Sequence, residues 1–140
     1  MPVSYDSFLE IAQDSMSKDG ELWVRNAISR AYYSLYHSAL QLTNGHIPET
    51  DSNGVRLSGG VHQRFANYLC DGLAASDFSL DKEEVKRVGL ALKTAHHRRV
   101  ISDYKLDKKI NKLDAISTIQ SAQEMALKIN NLINSQKNAI

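Results

Sequence analysis

Residues 22–43 read LWVRNAISRAYYSLYHSALQLT. Val24, Ile28, Ala31, Leu35, Ala39 and Leu42 recur in it at three- and four-residue steps, which stacks them along one narrow face of a helix. Asn44 and Gly45 follow, residues that tolerate positive φ and stop a helix. A helix with one apolar seam must be covered by other elements that carry matching seams.

Four further segments supply them. Tyr5, Phe8, Leu9, Ala12 and Met16 form a stripe over about residues 3–18, and KDGE at 18–21 interrupts it. A shorter helix is expected over 61–75. Asp81 with Glu84 is a capping-box pattern that opens a fourth helix, carried on by Val85, Val88, Leu92 and Ala95. Gly89 lies inside that helix, where the missing side chain permits close approach of another helix. The lysine-rich KLDKKINKLDA at 105–115 turns the chain, and Ile116, Ile119, Ala122, Ala126, Ile129 and Leu132 or Ile133 make the last seam. The expected fold is therefore all-α: a single antiparallel up-and-down helical bundle of about five helices. Residues 46–60, HIPETDSNGVRLSGG, carry Pro48 and three glycines without a sustained period and read as a mobile surface loop.

At 140 residues the chain has room for one domain with a real core, spanning 1–140. Its 42% hydrophobic and 24% charged residues argue against disorder. No apolar run is long enough to span a bilayer, and MPVSYDSF has neither a basic leader nor an apolar signal segment, so the expectation is a cytoplasmic protein with no membrane partner. The single Cys70 allows no internal disulfide and reads as a buried thiol. The net charge of +1 selects no partner, but its distribution is uneven. Residues 1–21 hold five acids and one lysine, whereas 96–112 hold six Lys or Arg against Asp103 and Asp107. That polarity suits a phosphate backbone, a self-complementary dimer or a solvated face.

The candidate chemistry sits opposite the first seam. At about 100° per residue, Arg30 and His37 fall within about 20° of one another after two turns, with Asn26 and Tyr33 close by. This stripe points away from the Ile28–Leu35–Leu42 face, toward solvent or a second subunit. Tyr32 and Tyr36 flank the apolar face and are expected to complete the core while their hydroxyls find polar partners. In the fourth helix His96, Arg99 and Asp103 share a face, and His97 and Tyr104 lie two turns apart on the next. Side-by-side packing of the two helices would make a basic cleft edged by tyrosines, with guanidinium donors for a phosphate and an imidazole that exchanges a proton near neutral pH. His37 would move protons and Arg30 or Arg99 would stabilise charge, giving metal-independent attack of a ribose 2′-OH on its own phosphodiester. An Arg–Asp pair of Arg98 or Arg99 with Asp103 that merely ties helices together is the competing reading. His96 and His97 point about 100° apart and no H-E-x-x-H occurs, so neither a metal nor another cofactor is expected. His62, near the start of the third helix, has two readings, a residue facing the cleft or, ahead of that, a capping or surface residue.

SRAYYSLYHSALQL at 29–42, followed by HHRRVISDYKLDKKINKLDAISTIQSAQEMALKI at 96–129, resembles the small bacterial and archaeal members of the HEPN superfamily. The resemblance implies a helical homodimer, belonging to a toxin–antitoxin or antiviral defence system, with an antitoxin or a small nucleotidyltransferase as cognate protein and RNA or a nucleotide as ligand. It implies a ribonuclease or, alternatively, a noncatalytic module that binds a nucleotide, a nucleic acid or a protein. Active members carry an arginine followed after a short interval by a histidine. Carried over by position, that arginine is Arg98, and Asp103 stands where the histidine would be. Arg30 and His37 satisfy a loose form of the spacing one helix earlier. The implied catalytic set is Arg30, His37, Arg98 and Asp103, with Tyr33, His97, Arg99 and Tyr104 holding substrate.

Overall fold

The computed structural model describes the backbone of residues 3–138 and the side chains through Gln136. It is an all-α antiparallel bundle of six helices: α1 (Tyr5–Met16), α2 (Glu21–Leu40), α3 (Val61–Cys70), α4 (Leu73–Phe78), α5 (Lys82–Tyr104) and α6 (Lys112–Asn138). A single 3-10 turn, Gln41–Thr43, extends α2. The sixth helix arises because the expected 61–75 segment breaks in two. Gly72 stands between α3 and α4 at φ 90°, a conformation that costs glycine little and an L side chain much.

The central element is α2, which packs against α1, α5 and α6. Its seam residues Val24, Ile28, Ala31, Leu35, Ala39 and Leu42 are all buried. The N-terminal half closes on Ala12 of α1 and on Ala115 and Ile119 of α6. The C-terminal half packs into the larger cluster with Phe65 and Leu69 of α3, Val85, Val88 and Leu92 of α5, and Ile129 of α6. Each large aliphatic side chain so buried contributes about 1.5–3 kcal/mol relative to exposure. The α6 seam begins one residue earlier than its periodicity suggests: Ala115 is fully buried and Ile116 is 41% exposed.

The α5 N-terminus starts as its sequence implies, with Asp81 Oδ1 accepting from the Glu84 backbone N–H at 2.9 Å. The Glu84 carboxylate turns to Lys128 of α6 and ties the two helices. Gly89 meets α3 at close quarters. A Cβ there would lie 2.6 Å from Cys70 Sγ and 3.1 Å from the Cys70 backbone nitrogen. Cys70 itself is half-buried in this contact.

Arg25 is buried at the junction of α2 and the end of α5. It is 7% exposed, and its guanidinium donates to the carbonyls of Ile101 at 3.2 Å, Ser102 at 2.9 Å, Lys105 at 3.3 Å and Lys108. The Ile101 and Lys105 carbonyls also accept from the Lys105 and Lys108 N–H groups, whereas those of Ser102 and Lys108 have no backbone donor among the described residues, and a cation also suits the negative pole of the helix dipole where α5 ends. Glu21 Oε1 accepts from the Ile110 N–H at 2.6 Å, so the basic 105–111 connection is fastened at both ends to the first turns of α2.

Residues 46–60 contain a hydrogen-bonded turn. Thr50 and Arg56 form an isolated antiparallel bridge, and Asp51 Oδ1 accepts from the N–H groups of Asn53 and Val55, each at 2.9 Å. Arg64 of α3 donates to the Pro48 carbonyl at 2.9 Å. Among the described residues no helix is long and apolar enough to cross a membrane.

Candidate functional site

The polar stripe of α2 meets α1 over part of its length. Asn26 Nδ2 donates to Ser15 Oγ at 2.9 Å. Further along, Phe8 of α1 stacks on His37 with ring centroids 5.2 Å apart, and the Arg30 guanidinium carbon lies 5.9 Å from the same phenyl ring. His37 remains exposed on its outer side, and Arg30 and Tyr33 are half-exposed.

Tyr33 is the point on which the charged groups converge. Arg30 from α2 and Arg99 from α5 each hold their guanidinium carbon 5.2 Å from its ring, within cation–π range, and the His37 ring is 6.3 Å away. A hydrogen-bonded chain joins the two arginines. Arg30 Nη2 donates to Ser29 Oγ at 3.2 Å, Ser29 Oγ donates to Asp103 Oδ2 at 3.2 Å, and Arg99 Nε donates to the same oxygen at 2.9 Å. Arg99 Nη2 reaches the Tyr104 hydroxyl at 3.4 Å, and its guanidinium carbon lies 5.4 Å from the Tyr104 ring, which is 67% exposed. Two guanidinium charges are thus set against one carboxylate. Arg99 is neutralised by Asp103, whereas Arg30 has no carboxylate partner among the described residues, and its Nε makes no hydrogen bond.

Behind this surface lies a cluster of tyrosines and imidazoles. Tyr32 is fully buried, and its hydroxyl is 2.5 Å from His62 Nδ1. His62 stacks on His96 at 5.4 Å and lies 4.7 Å from the Tyr36 ring. Burial drives the Tyr32 phenol far above its usual range, with Tyr36 adding to it, so it stays protonated. Burial also lowers the proton affinity of His37, His62 and His96. His62 is lowered further by His96, Arg99 and His37, and His96 by Arg99 and His97. All three imidazoles therefore favour the neutral form, which can accept a proton.

The expected residues divide accordingly. Arg30, Tyr33, His37, Arg99, Asp103 and Tyr104 lie in one connected cluster. Arg98 does not join it: its guanidinium turns to α6 and donates to Thr118 Oγ1 at 3.2 Å. His97 is exposed and, among the described residues, makes no ring contact or hydrogen bond with the cluster. His62 is no cap, because it packs inward on Tyr32 and Tyr36. The signal lay in its spacing, since His62, Phe65, Ala66 and Leu69 fall at helix steps on the buried face of α3. Ser29 and Phe8 had no local signal, because their partners lie on other helices.

Beyond His37, the C-terminal end of α2 and the outer face of α6 enclose an open hollow of about 800 Å³. The carboxamides of Gln41, Asn44, Asn130 and Asn134 line it. Among the described residues no group of three or more His, Cys, Asp or Glu is gathered closely enough to hold a metal ion. The site thus offers cations for an anion, exposed aromatic faces for stacking, amides for polar edges and neutral imidazoles for proton exchange. Set against protein-family models, curated proteins and solved structures, the chain finds no match.

Proposed function

We propose that the chain is a small HEPN-like protein of toxin–antitoxin or defence type that binds single-stranded RNA and cleaves it by 2′-OH attack without a metal. The observation that carries this reading is the gathering of Arg30, Arg99 and His37 on Tyr33. Arg30, the cation without a carboxylate partner, holds the phosphate; Arg99, half-spent on Asp103, adds field and fixes Tyr33 and Tyr104. Tyr104 and the His37–Phe8 stack offer faces for bases, and unpaired RNA is recognised in this way because its bases can be splayed onto aromatic rings. His37 exchanges the proton that the displacement requires. Asp103 is a positioning residue that orients Arg99 and Ser29. A cytoplasmic homodimer with a cognate antitoxin or nucleotidyltransferase completes the proposal.

A second reading, a binding module without catalysis, is favoured by one specific feature: Asp103 stands where the family pattern has histidine and it occupies Arg99. Purified protein incubated with mixed-sequence RNA in chelator separates the two. Cleavage that falls on the order of 100-fold in His37→Ala and Arg30→Ala, but persists in Arg98→Ala, supports the enzyme. RNA binding without cleavage by the parent supports the module. Neither binding nor cleavage removes both.

A further inference from the structure

Resting on that reading, we infer that His62 is a second catalytic residue, the base that takes the 2′-OH proton while His37 delivers a proton to the departing 5′ oxygen. In-line cleavage of RNA moves two protons on opposite sides of phosphorus, and one imidazole cannot serve both sides at once. His37 and His62 are the two imidazoles placed for the task. Both lie against Tyr36, at 5.3 and 4.7 Å, which bounds the separation of their rings at about 10 Å. Both also lie beside Tyr33, at 6.3 and 6.1 Å, where the arginines converge. The roles require a reacting phosphate held beside Tyr33 and Tyr36 with its attacking and leaving oxygens each within about 3 Å of one of these ring nitrogens.

The surroundings distinguish the two roles. His62 is half-buried, and it faces Tyr32, Tyr33, Tyr36 and His37 from α2 and His96 and Arg99 from α5. No carboxylate stands among these groups, and the cationic ones oppose a proton on His62. His37 is exposed and its proton affinity is lowered by burial alone. The half-buried imidazole that faces Arg99 and no carboxylate suits the base, and the exposed one suits the acid. The role requires the tautomer in which His62 Nδ1–H donates to the Tyr32 oxygen, so that Nε2 carries the free lone pair that meets the substrate. Tyr32 is thereby a positioning residue.

In the step itself, the 2′-O–H bond breaks and its proton passes to His62 Nε2 as the 2′ oxygen bonds to phosphorus. The P–O5′ bond breaks, and the leaving oxygen takes a proton from the His37 imidazolium. The products are a 2′,3′-cyclic phosphate and a 5′-hydroxyl, with no oxidant, reductant or co-reactant consumed.

The test is the pH dependence of kcat/KM for a single-stranded RNA, measured on the full chain in chelator. The parent should give a bell, and His62→Asn, whose amide can still reach Tyr32, should lose the acidic limb and on the order of 100-fold in plateau rate. Its affinity for the same RNA with a 2′-deoxy scissile nucleotide should stay within about threefold of the parent, which separates proton transfer from folding or positioning. Tyr32→Phe should keep both limbs but shift the acidic one. In the parent, NMR titration of the His62 ring should coincide with the acidic limb. Cleavage by the parent with both limbs intact in His62→Asn, or a His62 titration that does not coincide with the limb, would overturn this inference alone. A parent that binds RNA without cleaving it would overturn the inference together with the enzyme reading.

Discussion

Arg30 on α2 and Arg99 on α5 hold their guanidinium carbons at the same distance, 5.2 Å, from the ring of Tyr33. The ring accommodates two cations through its face electrons, and each such contact contributes about 0.5–1 kcal/mol at a partly exposed site. Tyr33→Phe retains the ring and should leave RNA affinity within about twofold. Tyr33→Ala frees both arginines and should weaken RNA binding by about 1–2 kcal/mol, read by fluorescence anisotropy of a labelled single strand.

Arg25 donates to four carbonyls from α5 and the turn beyond it, of which those of Ser102 and Lys108 have no backbone donor among the described residues. Removing the guanidinium leaves acceptors at a helix end that water reaches only in part. Arg25→Met should cost about 2–3 kcal/mol in urea unfolding, and Arg25→Lys should recover little, because an ammonium is a compact donor without the planar fork. The same variants should weaken RNA binding indirectly, since the clamp lies immediately beside Asp103 and Tyr104.

Two effects compete at Gly89. Alanine would improve helix propensity by about 1 kcal/mol. Its Cβ would meet Cys70 Sγ at 2.6 Å and the Cys70 backbone nitrogen at 3.1 Å, and the backbone cannot retreat as a flexible side chain can. Overpacking should win, with a net loss of about 1–2 kcal/mol in Gly89→Ala. Combining it with Cys70→Ala should recover part of that loss but not all, because the backbone contact remains; thermal unfolding of the double-mutant cycle measures the share.

Stability should depend on pH through His37, His62 and His96. Each has its folded-state proton affinity below the usual 6.5. Above that value both folded and unfolded chains carry these rings neutral, and no contribution changes. As pH falls below 6.5, the unfolded chain binds protons first, so stability drops progressively toward the lower folded-state values. The midpoint of urea unfolding should therefore fall as pH is lowered below 6.5, and His96→Gln should flatten that fall.

Much of this architecture was legible in periodicity. Every α2 seam residue from Val24 to Leu42 is buried, and Asp81 caps α5 as its spacing to Glu84 implied. The break at Gly72 was missed because a glycine near the end of a short apolar stripe reads equally as a tolerated helical residue. Half the candidate site followed from helical phase, which put Arg30, Tyr33 and His37 on one stripe and Arg99 and Asp103 on another. Phase within one helix is silent about what stands across from it. Arg98 and Arg99 are adjacent in sequence, yet α6 claims the first and Tyr33 the second. The same blindness hid Arg25, whose acceptors lie 76 to 83 residues away. His62 differs, because its helix spacing to Phe65, Ala66 and Leu69 put it on the buried face and only its partner Tyr32, 30 residues away, was out of reach of phase.

The most direct test of the central claim, that Arg30 is the uncompensated cation of a phosphate-binding surface centred on Tyr33, is the salt dependence of single-stranded RNA affinity in the parent and in Arg30→Gln. Each phosphate contact with a single strand contributes about 0.7 to the slope of log affinity against log salt. The variant should bind more weakly at every salt concentration, with a slope shallower by about that amount. A slope and an affinity unchanged from the parent would contradict the account.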